Sequence, residues 1–119
     1  MHSKDLLSLT EETLDDMKAR DVRVMDVREL TSLTDYMVIA SGGSDRHVSS
    51  IADRIIERTK AAGHAALGVE GKEHGEWVLV DLDDIVVHIM QPRIRDFYKL
   101  ENLWDMAGGD DTANVENAY

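Results

Sequence analysis

The sequence predicts an α/β domain in which a five-stranded mixed sheet carries helices on its faces, in the order α-β-β-α-β-β-β-α. Residues 77–90, WVLVDLDDIVVHIM, place runs of Val, Ile and Leu on both sides of Asp83-Asp84, a pattern typical of two strands joined by a tight turn. Residues 36–62 add a buried strand, a Gly-Gly break and a helical stripe. The hairpin is apolar on both faces, so one face must meet a core and the other must meet helices or a partner.

The first predicted element is a helix that begins near Ser3, whose hydroxyl is a candidate N-cap. Lys18 and Arg20 would lie in its last turn, where cations favour the helix dipole. Its inward positions follow helical spacing: Leu6, Thr10, Thr13, Leu14 and Met17. A helix with this pattern is expected to cover a sheet.

Two strands should follow, over residues 22–27 and 36–40, with a polar connector at 29–35. Residues 36–40, YMVIA, form a continuous apolar run, which predicts a central strand that is buried on both faces. A right-handed crossover would carry the chain from this strand through the next helix.

The central helix has the strongest pattern in the chain. Ser44 is a plausible N-cap, Asp45 sits in the positive first turn, and Gly63 stands where helices commonly stop. One apolar stripe contains Val48, Ile51, Ala52, Ile55, Thr59 and Ala62. A third strand is predicted at 65–69, followed by a polar loop at 70–76 that should be mobile.

After the hairpin, Pro92 marks the first residue of a final helix. Its predicted inward stripe contains Ile94, Phe97, Leu100 and Trp104. Residues 107–119 are acidic, contain Gly and lack periodicity, so we expect a disordered tail behind one domain at 1–106.

The composition of the chain disfavours some classes of function. The chain has 119 residues, no cysteine and a net charge of −11, which disfavours binding mainly to DNA or RNA. An acidic surface suits a basic protein partner, although it also serves solubility alone. The apolar runs are far shorter than the ~20 residues of a membrane span, and residues 1–20 lack a signal-peptide pattern. These features predict a cytoplasmic protein.

Two motifs leave alternatives open. The segment SGGSDRHV, residues 41–48, is either an anion site with Arg46 nearby or a capped turn that needs glycine for close packing. Asp81 and Asp83 can face one Mg²⁺ from a strand, which together with Gly-Gly-Ser is similar to nucleotidyltransferases. No third carboxylate is identifiable, and a turn explains Asp83-Asp84 equally well. The five histidines lack zinc-ligand spacing.

Four segments closely resemble the ribosomal silencing factor family, also called Iojap-like. They are DVRELTSLTDYMVIASGGSDRHV, GVEG, WVLVDLDDIVVHIM and RDFYKLENLW, in the family's order and spacing over residues 5–106. Two departures are visible: the turn Leu82-Asp83-Asp84 lacks the glycine common there, and Gly43 replaces the usual Thr.

The resemblance implies a nucleotidyltransferase-like core without catalysis and without a cofactor. It also implies binding to the large ribosomal subunit at ribosomal protein fourteen, on the face that meets the small subunit. Occupying that face would block subunit joining and repress translation under nutrient limitation. A minor contact with ribosomal RNA through Arg93, Arg95 and Lys99 is a further possibility, against the alternative of a solvated helix face.

Carried over by motif position, the expected contact residues are Trp77, Leu79, Asp81, Leu82, His88, Met90 and Tyr98. The resemblance implies that Trp77, Leu82 and Tyr98 anchor the contact, that Asp81 meets a basic group and that His88 hydrogen-bonds across. Ordinary core positions remain an alternative for Trp77, Leu82 and Met90. Two rival functions also remain: a Mg²⁺-dependent nucleotidyltransferase-like enzyme, and an adaptor that pairs with itself through the hairpin, so the free protein is either a monomer or a homodimer.

Overall fold

The computed structural model describes residues 2–102. Their helices and strands follow the predicted order: α1 (Ser3–Asp16), β1 (Arg20–Asp26), β2 (Tyr36–Ser41), α2 (Asp45–Ala61), β3 (Gly68–Glu70), β4 (Trp77–Asp81), β5 (Ile85–Met90) and α3 (Pro92–Tyr98). The strands form one sheet in the order β1-β2-β5-β4-β3. β2 and β5 are parallel and the other pairs are antiparallel, which confirms the five-stranded mixed sheet.

The two long helices lie on the same side of the sheet. The core on this side combines Leu6 and Leu14 of α1 with the α2 stripe and with alternate residues of β2, β4 and β5, such as Val38, Val80 and Val87. Each of these side chains is fully buried. Burial of this apolar area is the main stabilising term of the domain.

The opposite side of the sheet has a smaller core. It contains the buried side chains of Met25, Val27, Met37, Ile39 and Met90. Four partly buried side chains pack against it: Leu30, Trp77, Ile94 and Leu100. Within residues 2–102, the short helix α3 and the loop after β1 supply this cover, and the exposed rings of Phe97 and Tyr98 lie on this side.

The predicted interior strand is confirmed, because all six residues of β2 are buried. The middle of the sheet belongs to β5, which lies between β2 and β4. The predicted hairpin turn is also confirmed: the Leu82 N–H donates to the Ile85 carbonyl at 2.8 Å, and Asp83 has a φ of 72°. The third strand begins later than predicted, at Gly68.

The ends of α1 differ from the prediction. His2 is the N-cap, and the Ser3 hydroxyl lies inside the first turn and donates to the Asp35 carboxylate at 2.7 Å. The helix ends at Asp16, Lys18 has a φ of 59°, and Arg20 begins β1. The two cations therefore do not stand in the last helical turn, because the chain leaves the helix before it reaches them.

Trp104 and the predicted tail at 107–119 lie outside the described residues. Within residues 2–102, no helix is both long and apolar enough to cross a bilayer.

Candidate partner-binding face

Strand β4 presents a half-buried face on the side of the sheet opposite α1 and α2. Val78 and Val80 point into the helix-side core and are fully buried. Trp77, Leu79 and Asp81 alternate with them and are each half-buried. Since successive strand residues face opposite ways, these three side chains share the surface that the long helices leave open.

An aromatic row continues this surface onto α3. We define the aromatic row as His88, Trp77, Tyr98 and Phe97. The ring centroids are 5.9 Å apart for His88 and Trp77, 5.0 Å for Trp77 and Tyr98, and 5.0 Å for Tyr98 and Phe97. Exposure rises along the row, from 5% for His88 to 55% for Tyr98 and 77% for Phe97. Tilted and edge-on contacts of this kind are favourable for aromatic rings.

His88 forms the buried end of the aromatic row. The Trp77 indole Nε1–H donates to its Nδ1 at 2.9 Å. Burial lowers the pKa of His88 to about 4, so the ring is neutral near pH 7 and its Nδ1 is free to accept. The expectation that His88 hydrogen-bonds to a partner does not fit Nδ1, because Trp77 already donates to this atom and only 5% of the residue is exposed.

The loop between β3 and β4 also holds Trp77 in place. The Gln91 backbone N–H donates to the Glu76 carbonyl at 3.0 Å, and the Gln91 side-chain amide donates to the Gly75 carbonyl at 3.1 Å. Gly75 is buried. The loop that the sequence predicted to be mobile is therefore tied to the end of β5, next to the aromatic row.

Two expected contact residues lie in the interior. Leu82 is fully buried in the helix-side core, and Met90 is fully buried in the opposite core beside Trp77. The alternative of an ordinary core position therefore fits both residues. Leu82 lies on the helix side because it continues the alternation of Val78 and Val80. It therefore does not share the face of the sheet on which Trp77 lies.

Asp81 serves the hairpin turn. Its Oδ1 accepts the backbone N–H of Asp83 at 2.8 Å, a local turn motif. Asp83 itself is exposed. In the described part of the chain, no three His, Asp or Glu side chains form a group that could hold a metal ion. The geometry favours the turn over the proposed Mg²⁺ pair.

The Gly-Gly junction before α2 is a capped turn. The Ser44 hydroxyl accepts the His47 N–H at 3.1 Å, as predicted, and the Asp45 carboxylate accepts the Arg46 N–H at 2.8 Å. The Gly43 N–H donates to Nδ1 of His47 at 2.9 Å. A side chain at Gly42 would stand 2.7 Å from Cγ2 of Val48. These N–H groups are used within the protein, which favours the packing role over an anion site.

The basic residues of α3 do not act as one patch. Arg95 is buried; its guanidinium donates to the Ser41 hydroxyl at 2.9 Å and to the Glu101 carboxylate at 3.1 Å. Arg93 and Lys99 are exposed. Arg95 is therefore an internal anchor of α3 and not an RNA contact, while the other two cations remain on the surface.

Phe97 also differs from its predicted position. It was expected to point inward, and it is 77% exposed. The helix ends at Tyr98, and Lys99 has a left-handed φ of 49°, so Leu100 turns back to the core after a break in the helix. An exposed aromatic pair at a helix end is itself typical of interaction surfaces.

Comparison with known proteins decides the family. The model of the family described as "Ribosomal silencing factor during starvation" matches residues 1–118. The ribosomal silencing factor of Haemophilus influenzae is 46% identical over 99 residues, which cover 83% of this chain and 97% of that protein. The chain belongs to the ribosomal silencing factor family.

Structural similarity agrees with the family assignment. A crystal structure of a protein from Chromobacterium violaceum, 43% identical, superposes with a TM-score of 0.86 and covers 88% of each chain. A more distant family relative, the mouse protein named mitochondrial assembly of ribosomal large subunit protein 1, is 35% identical over 96 residues, 78% of this chain and 42% of that protein.

The structure also accounts for one departure of this chain from the ribosomal silencing factor pattern. The hairpin turn lacks glycine, and Asp83 takes the left-handed conformation there with a φ of 72°. Asp is among the few non-glycine residues that adopt this conformation readily. The hydrogen bond from Asp83 N–H to Asp81 stabilises it, so the hairpin keeps its tight turn.

Proposed function

We propose that this protein silences translation by binding the large ribosomal subunit at ribosomal protein fourteen, on the face that meets the small subunit. Bound there, it sterically blocks subunit joining under nutrient limitation. The action requires affinity and bulk but no catalysis and no cofactor, and it takes place in the cytoplasm. The free protein is a monomer or a homodimer.

One observation carries this proposal: the half-buried face of β4 and the exposed end of the aromatic row form one apolar surface. Trp77 and Leu79 supply its strand part, and Phe97 and Tyr98 supply its helix part. Monomeric proteins rarely leave such aromatic groups uncovered without a binding role. Trp and Tyr are also the residues most often found at the energetic centres of interfaces.

Charge supports a basic partner. The chain carries 24 Asp and Glu residues against 13 Lys and Arg residues. A field of this sign steers basic surfaces toward it and raises the association rate. Asp81 stands at the rim of the apolar surface and is partly exposed, so it can pair with a cationic group. Arg93 and Lys99 are free to make a minor contact with ribosomal RNA at the α3 end.

Truncating the central anchor tests the proposal. We expect Trp77→Ala to weaken binding to isolated large subunits by roughly 30-fold or more, since removing an aromatic hot spot commonly costs about 2 kcal/mol or more. Cosedimentation through a sucrose cushion measures the bound fraction, and circular dichroism confirms that the variant is folded.

Leu33→Ala is the matched control. Leu33 is an exposed apolar residue, with 58% of its surface accessible. It lies just before β2, at the end of the sheet where β5 begins with Ile85. Trp77 lies at the opposite end, where it pairs with Met90. Removing apolar surface there should leave binding unchanged. If Trp77→Ala cosediments as strongly as Leu33→Ala, the binding surface is elsewhere.

A further inference from the structure

His88 is too enclosed to meet a partner directly. It lies on β5 between Leu79 of β4 and Ile39 of β2, its register partners on either side. Only 5% of its surface is exposed. Its contact with the surface runs through Trp77, whose indole N–H donates to Nδ1 at 2.9 Å. Any effect of His88 on binding must therefore pass through Trp77.

We propose that His88 is a positioning residue that holds the Trp77 indole in the orientation that the partner binds, an inference that rests on the proposed function. The indole is held on two sides: by the hydrogen bond and ring contact of His88, and by the ring of Tyr98 at 5.0 Å. A ring that is fixed before binding loses less conformational freedom on binding, which raises affinity.

This arrangement also defines the chemistry that the partner presents to Trp77. The indole has one polar group, the Nε1–H, which is a donor only. His88 already accepts it. The partner therefore meets Trp77 through the ring surface, which favours an apolar side chain or a cation over a hydrogen-bond acceptor.

Two substitutions at His88 separate positioning from packing. His88→Leu keeps an apolar side chain of similar size but removes the acceptor, and we expect affinity for isolated large subunits to fall about fivefold, the scale of one hydrogen bond. His88→Asn places an amide oxygen near the position of Nδ1 and should stay within about twofold of wild type. Equal losses in both variants would overturn the proposal.

The NMR resonance of the Trp77 indole N–H reports the hydrogen bond to His88 separately from the packing of the ring. In ¹⁵N-labelled protein, the Nε1–H proton should be shifted downfield and exchange slowly in wild type, and both properties should disappear in His88→Leu. Trp104→Phe removes the only other tryptophan of the sequence and assigns the resonance. A wild-type resonance without a hydrogen-bond shift overturns the proposal even if His88→Leu fails to fold.

A double-mutant cycle tests whether His88 acts through Trp77. Trp77→Phe keeps a ring but has no N–H to donate. In that background His88→Leu should cause no further loss of affinity, because the interaction is already absent. The same loss in both backgrounds shows that His88 acts by another route. The proposed binding surface fails in a different case, namely that Trp77→Ala leaves binding to isolated large subunits unchanged.

Discussion

At the scale of single residues, the alternation of side chains along β4 determines which groups a partner can reach. Because successive strand residues face opposite ways, Trp77 and Leu79 should share one face and Leu82 the other, and the structure shows that division. The sequence did not reveal which of the two faces the helices cover, because both faces are apolar and their packing depends on residues that are distant in the chain. Leu82 was therefore included among the contact residues, although it belongs to the core.

The buried state of His88 predicts a specific loss of stability in acid. Its pKa falls from 6.5 to about 4 in the folded protein, so below pH 6.5 the unfolded chain binds the proton more readily than the native protein. The stability that neutral His88 supports is fully present above pH 6.5 and is lost as pH falls toward 4.

We expect the free energy of unfolding to decrease between pH 6.5 and 4.5 in wild type, and to decrease less steeply in His88→Leu. Urea titrations at four pH values measure both slopes. The other histidines are common to the two proteins, and Asp26, whose pKa is lowered from 3.8, titrates below this range. Equal slopes would show that His88 is not buried in its neutral form.

The glycine before α2 has a steric role that can be tested separately. A Cβ at Gly42 would lie 2.7 Å from Cγ2 and 3.1 Å from the backbone N of Val48, whereas a Cβ at Gly68 would meet nothing within 4 Å. Gly42→Ala should lower the free energy of unfolding by about 1–3 kcal/mol through overpacking, measured by urea denaturation. Gly68→Ala is the control and should be close to neutral; similar effects of the two changes would remove the close-packing explanation.

At the scale of elements, the sequence predicted the long helix α2 better than the short helix α3. Ser44 caps α2, and its stripe is buried from Val48 to Thr59, since 17 residues give a clear helical period. Ala62, predicted as the last residue of the stripe, is instead the exposed C-cap. The seven residues of α3 contain too few turns to define a face, and the left-handed Lys99 breaks the period before Leu100. The predicted stripe does not continue across that break: Phe97 is exposed, and Leu100 packs against the core.

Arg95 anchors α3, and its removal should loosen the helix part of the binding face. The Arg95 and Glu101 side chains are only 10% and 18% exposed, and Arg95 also reaches Ser41 of β2. Breaking a buried pair leaves a charge without its partner, so Arg95→Met should cost about 3 kcal/mol. Thermal and urea unfolding measure the loss.

Arg54→Met provides the comparison, since Arg54 and Glu57 form an ion pair at 3.9 Å with side chains 44% and 71% exposed. An exposed pair of this type contributes about 0–1 kcal/mol. If both variants lose the same small amount, Arg95 does not hold α3 in place.

At the scale of the whole molecule, the unequal cover on the two sides of the sheet leaves the proposed binding face open to solvent. The order of all eight elements could be predicted, because each has its own local pattern of period, cap or turn. The sequence could not predict the register that brings His88 beside Leu79, or the position of Tyr98 against Trp77. Both depend on pairings between segments that are distant in the chain.

A protein that acts by binding alone should not use nucleotides. Millimolar nucleoside triphosphate with Mg²⁺ should leave the melting temperature unchanged, because a ligand that binds the native state would raise it by mass action. Differential scanning fluorimetry provides the measurement. A shift that is abolished by Asp81→Asn would instead support an enzyme built on the hairpin carboxylates.

The most direct measurement of the central claim is subunit joining. Isolated large subunits are incubated with the protein, small subunits are added, and the joined ribosomes are quantified by sucrose-gradient sedimentation. We expect fewer joined ribosomes with wild type and with Leu33→Ala, and normal joining with Trp77→Ala. Normal joining in the presence of saturating wild-type protein, or inhibition by Trp77→Ala equal to that of wild type, would contradict this claim.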